Sequence, residues 1–139
     1  MRRIGVVIFV LCIGWVLPVA AQSLEKQNAA IAAAQEWLAL IDADRYAQSW
    51  QASAAYFRNA VGRDQWGQLL KASRQPLGEL VSRRVKSATY TTTLPGAPDG
   101  EYVVVQFETS FKNKGSAIET VTPMLEKNGA WRVSGYYIK

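Results

Sequence analysis

The chain has 139 residues, 49% of them hydrophobic, with 16 basic and 11 acidic side chains, no histidine and one cysteine. This is the composition of one globular domain, and its net charge of +5 makes no case for nucleic acid, since Arg2 and Arg3 of the N-terminal segment supply part of it. Without histidine there is no Ser-His-Asp or Cys-His catalysis, no imidazole acid–base chemistry and no histidine-ligated metal, so no cofactor is expected.

The first 21 residues have the organisation of a signal peptide. Arg2 and Arg3 form a positive start, Ile4 to Leu17 is an unbroken apolar run, Pro18 ends it, and Val19-Ala20-Ala21 offers small residues before Gln22. The run is shorter than the roughly 20 apolar residues of a spanning helix, so cleavage after Ala21 is expected rather than a stable membrane anchor. Cys12 leaves with the signal, and the bulky Phe9-Val10-Leu11 before it argues against a lipoprotein site. The expected product is one domain over 22–139, exported to the periplasm or beyond, with neither disulfide nor thiolate metal site.

Gln27 to Ala43 is alanine-rich, with Ile31, Ala34, Leu38 and Ile41 at helical spacing. Asp42-Ala43-Asp44 lacks the further oxygen ligands of a calcium loop and ends this helix. Tyr46 and Trp50 lie one turn apart on a short second helix, and Tyr56, Phe57 and Ala60 mark a third. Asp64 is the expected N-cap of a fourth helix carrying Trp66, Leu69 and Leu70, with Lys71 and Arg74 in its last turn and Pro76 and Gly78 as its end.

From Leu80 the pattern becomes strand-like. Four strands are expected over Val81–Leu94, Glu101–Lys112, Ser116–Glu126 and Ala130–Ile138. Asn113-Lys114-Gly115 and Lys127-Asn128-Gly129 suit three-residue hairpin loops closed by a left-handed glycine. Such loops set Leu125 opposite Trp131, Val121 opposite Gly135, Phe107 opposite Val121 and Val103 opposite Leu125. One face then gathers Val103, Val105, Phe107, Phe111, Val121, Leu125, Trp131, Val133 and Tyr137, and the helices should pack there. The other face carries Tyr102, Val104, Gln106, Glu108, Ile118, Thr120, Met124, Arg132, Tyr136 and Ile138, a mixture that suits a solvated face or a homodimer contact equally.

Four N-terminal helices followed by a curved four-stranded antiparallel sheet make an α+β fold that resembles the nuclear-transport-factor-like (cystatin-like) cone. Ala-Ala-Gln-Glu-Trp-Leu (33–38), Asp-Arg-Tyr-Ala-Gln-Ser-Trp (44–50), Pro-Gly-Ala-Pro-Asp-Gly-Glu-Tyr (95–102), Glu-Thr-Val-Thr (119–122) and the closing Gly-Ala-Trp-Arg-Val-Ser-Gly-Tyr (129–136) further resemble the exported bacterial family of domain of unknown function 4019. That resemblance implies fold and export, and it transfers no catalytic residue.

Glu119 is the one carboxylate on the apolar face, expected beside Tyr137 and Thr109. Desolvated there, it is a candidate acid or base with Tyr137 as hydrogen-bond donor; the plain alternative is that it reaches water or pairs with a lysine or arginine. Trp37, Tyr46, Trp50 and Phe107 are candidates to line an apolar ligand pocket, against the plain alternative of packed core. Ser82-Arg83-Arg84-Val85-Lys86 reads as a solvated or edge-protecting basic cluster, with binding of an anionic lipid or polymer as the other reading. The expectation for function is a non-enzymatic binding module for a small apolar ligand or a protein partner. The alternative is an isomerase- or dehydratase-like enzyme using Glu119 and Tyr137.

Overall fold

Alanine propensity carries the first helix, and a computed structural model describes it together with the rest of residues 14–139. The positive start and most of the apolar run of the expected signal peptide lie outside the described residues. Helix α1 spans Val19–Asp42 and so runs through the expected cleavage bond; its buried side chains begin only at Ala30 and continue with Ala34, Trp37, Leu38 and Ile41. No helix among the described residues is long and apolar enough to cross a membrane.

Asp44 closes α1. It adopts φ +59°, a left-handed conformation that aspartate tolerates better than most side chains. The amide of Asp44 donates to the Ile41 carbonyl and that of Arg45 to the Leu40 carbonyl, the paired bonds of a Schellman ending. This leaves Asp42 as the last helical residue and Ala43, the expected end, as the C-cap.

Helices α2 (Tyr46–Ala52), α3 (Ala55–Ala60) and α4 (Arg63–Ser73) follow, then a 3₁₀ turn over Gln75–Leu77. Gly62, not Asp64, occupies the N-cap of α4, so Asp64 sits in the first turn, where a negative charge complements the helix dipole. The buried ends of the helical layer are joined by indole hydrogen bonds. Trp37 Nε1 donates to the Ser49 carbonyl (2.8 Å) and Ser53 Oγ (3.0 Å), and Trp66 Nε1 donates to Ser49 Oγ (3.0 Å). Two buried serines thus satisfy donors that would otherwise be desolvated without partners.

Strands β1 (Leu80–Thr91), β2 (Tyr102–Phe111), β3 (Lys114–Leu125) and β4 (Trp131–Ile138) form one antiparallel sheet in the order β1-β2-β3-β4. The β3–β4 loop is the expected three residues, with Glu126 and Ala130 closing it and Gly129 at φ +84°. The β2–β3 loop is not. Lys112 and Asn113 alone connect the strands, because the turn is held from outside: their amides donate to the carbonyls of Glu79 and Leu77. Phe107 therefore faces Glu119 and Val105 faces Val121. The slide is two residues, an even number, so every β2 and β3 side chain keeps its expected face.

β4 departs by an odd number. Its pairing starts as expected at Leu125 with Trp131, then shifts between Thr122 and Pro123, so that Thr122 faces Gly135 and Val121 faces Tyr136. Ser134 is the extra residue of this bulge. Pro123 has no N–H to offer the facing Val133, whose carbonyl instead accepts from the amide of Ala54 (2.8 Å) in the α2–α3 connection. Beyond the bulge Tyr136 and Ile138 turn to the helix side and Tyr137 turns away, the reverse of the expectation. The core unites Trp37, Leu38, Ile41, Phe57, Trp66 and Leu70 of the helices with Val103, Val105, Phe107, Val121 and Val133 of the sheet.

Candidate functional site

Glu119 is fully buried in the middle of β3, on the face that meets the helices. Its Oε1 accepts from Arg83 Nε and from Thr109 Oγ1, each at 2.7 Å, and its Oε2 accepts from the Tyr136 hydroxyl. Thr109 and Arg83 face each other on β2 and β1, so donors from all three other strands converge on one carboxylate. Tyr137, the expected donor, is 55% exposed on the opposite face, facing Thr120. The β4 bulge is the physical reason for the exchange.

Arg83 continues the network toward the helices. Its Nη1 and Nη2 donate to Asp42 Oδ2 (2.6 Å) and Oδ1 (3.0 Å), a two-pronged pairing with the last residue of α1. Arg74, the C-cap residue of α4, donates to Asp42 Oδ1 (3.1 Å) and to the Gly78 carbonyl (2.6 Å), and its guanidinium lies 4.2 Å from the centre of the Phe111 ring. Two carboxylates thus meet two guanidiniums with their charges balanced, the condition under which buried ions are tolerated. Of the basic cluster read as a solvated edge, Arg84 does reach across the outer face to Glu108 (2.6 Å). Arg83 does not stay in solvent: strand alternation sends it inward to Glu119 and Asp42.

Burial opposes the charge on Arg83, but hydrogen bonds to Asp42 and then to Glu119 outweigh it and raise its pKa above the usual arginine value. Burial, and then the adjacent Glu119 charge, push the Tyr136 phenol far above its ordinary range. The arrangement therefore stores a protonated tyrosine, a locked guanidinium and a carboxylate whose oxygens are both occupied. It holds four strands and two helix ends together.

The four candidates for an internal pocket are brought into one cluster, but as neighbours in packing. Trp37, Tyr46 and Phe107 are buried in the core and Trp50 is half-buried against it. The aromatic packing extends around them: Trp37 meets Tyr136 edge-on at 5.3 Å between ring centres, and Phe57 meets Trp66 edge-on at 5.0 Å. One of several open concavities among the described residues lies between α4 and β4, lined by Trp66, Leu69, Leu70, Leu77, Tyr136 and Ile138; another, of similar volume, is lined by Trp37, Leu40 and Trp131. Tyr136 separates the α4/β4 groove from the ionic network, its ring forming groove wall and its hydroxyl holding Glu119. Among the described residues, no group of three or more His, Cys, Asp or Glu side chains is placed to hold a metal ion.

Asp42, Arg74, Arg83 and Tyr136 were not singled out as site residues by sequence pattern. Pro123 was the available signal for Tyr136, because a proline in a central strand marks a bulge and a bulge reverses the faces beyond it.

The model of the family described as a protein of unknown function (DUF4019) matches residues 33–136. The chain belongs to this family. No curated protein and no solved structure matches it. The DUF4019 match begins inside α1, after Ala30 has entered the core, and ends at Tyr136. It therefore contains the whole ionic network of Asp42, Arg74, Arg83, Thr109, Glu119 and Tyr136, together with the α4 wall of the groove.

Proposed function

We propose that this DUF4019 domain is an exported, non-enzymatic binding module that takes a small apolar ligand in the groove between α4 and β4. The observation that carries the reading is the state of Glu119. This inner-face acid is fully buried, with its oxygens accepting from Arg83, Thr109 and Tyr136, which fits a structural cross-link better than an acid or base. Trp37, Tyr46 and Phe107 are buried in the core, and the groove offers open apolar surface at about 450 Å³, within the range of small-molecule sites. Leu69 on its lip is 48% exposed although nothing in its own helix requires an apolar residue there. Export rests on the charged start, apolar run and small-residue site of the first 21 residues. The nuclear-transport-factor-like cone is our reading of the fold, supported by the order of helices before a bulged antiparallel sheet.

The enzymatic alternative is favoured by one contact. The Tyr136 hydroxyl on Glu119 Oε2 couples a proton donor to a carboxylate directly behind the groove wall, so an isomerase- or dehydratase-like reading would use Tyr136 in place of Tyr137. Native mass spectrometry of the protein taken from its own extracytoplasmic compartment tests the leading reading. A mass that starts at Gln22 and carries an added small molecule is the expected result. A bare mass, together with an activity lost in Glu119→Gln, would overturn it in favour of the enzyme.

A further inference from the structure

We infer that the occupant of the α4/β4 groove is a single-chain amphiphile with an anionic head, a deepening that rests on the binding reading above. Leu69 and Leu70 on α4, Leu77 on the 3₁₀ turn and Ile138 on β4 give the wall an apolar set that suits a hydrocarbon chain, with Ser73, Tyr136 and Tyr137 beside it. The charged side chains that line the groove are Lys114, at the start of β3, and Lys139, beyond the end of β4; no acidic residue lines it. Neither lysine has a carboxylate within ion-pair distance among the described residues. Three cations between helices and sheet are neutralised locally: Arg74 and Arg83 by Asp42 and Glu119, and Lys26 by Glu101. Unspent positive charge at the lip of an apolar groove selects a ligand with one negative end and one apolar end.

A carboxylate, sulfate or phosphate head would satisfy the same lysines, and a free amphiphile or an anionic bilayer could present it. The groove is a half-open cleft walled by α4 and β4; a single free molecule is the occupant we assign.

The test uses the mature protein and dodecanoate, at concentrations below its micelle threshold, with dodecanol as the uncharged twin and intrinsic tryptophan fluorescence as the readout, since Trp66 lines the groove. Dodecanoate should bind saturably and roughly tenfold more tightly than dodecanol. The double variant Lys114→Gln, Lys139→Gln should remove that preference while leaving dodecanol binding unchanged. Leu69→Glu, at a half-exposed position that does not threaten folding, should weaken both probes. Equal binding of the two probes would overturn the headgroup assignment and leave the apolar groove standing. Binding of neither would overturn the groove reading itself. Sedimentation with phosphatidylglycerol vesicles, in a protein whose fluorescence ignores monomeric dodecanoate, would replace the free ligand with a membrane surface.

Discussion

Tyr136 donates its hydroxyl to Glu119 from the neighbouring strand, although the two residues do not face each other in the β3–β4 register: Glu119 faces Ile138 and Tyr136 faces Val121. The bond is diagonal, made by side chains two positions apart on one face, and it exists because Ser134 is bulged out of β4. It joins the sheet to Arg83 and Asp42, so one network crosses from β4 to the end of α1.

Arg83→Ala should be the most damaging single change in the network. It leaves Glu119 buried with an uncompensated charge and frees Asp42 from its two-pronged partner, which costs about 3–5 kcal/mol for a broken buried pair. Urea denaturation should show the loss as a lowered midpoint. The double variant Arg83→Met, Glu119→Leu should recover much of it, because no stranded charge remains. A double variant no more stable than Arg83→Ala would show that the network matters for more than charge balance.

Replacing each tyrosine in turn separates the two faces of β4. Tyr136→Phe removes a donor from a buried carboxylate oxygen and should cost about 1–3 kcal/mol. Tyr137→Phe, at an exposed position, should stay within about 0.5 kcal/mol of the parent. Equal effects would contradict the register set by the bulge.

Alkaline pH should unfold the protein through Tyr136. Its folded pKa is raised, by burial first and by the Glu119 charge next, so the folded state holds the phenol proton after the unfolded chain, at about pH 10, has released it. The stabilisation is complete below about pH 10 and is lost as pH rises beyond it. Tyr136→Phe should flatten that limb of a stability–pH curve. On the acid side the Glu101 carboxyl is lowered by its hydrogen bond from Lys26, so this half-exposed pair contributes above the ordinary carboxylate range and weakens as pH falls.

Processing should be nearly free of structural consequence. Val19 is 82% exposed and the core of α1 begins at Ala30, so a chain starting at Gln22 should match one starting at Gly14 within about 0.5 kcal/mol by denaturant unfolding. A clear loss would mean that residues 14–21 contribute contacts that their exposure does not reveal.

Much of this molecule follows from short-range pattern. Alanine content and apolar spacing place α1, and the Tyr46/Trp50 and Trp66/Leu69/Leu70 spacings place α2 and α4. Strand alternation alone puts Val103, Val105, Phe107, Val121 and Glu119 on one face, and Gly129 closes the last hairpin; each depends on neighbours within a few residues. The two features that define the site do not. Which tyrosine meets Glu119 depends on one extra residue in β4, set by a proline whose missing N–H leaves a carbonyl free for Ala54. Where Arg83 points follows from alternation, but its partners Asp42 and Glu119 lie 41 and 36 positions away. Only folding brings two acids and two guanidiniums into one dry volume, where each charge is tolerable because the others are there.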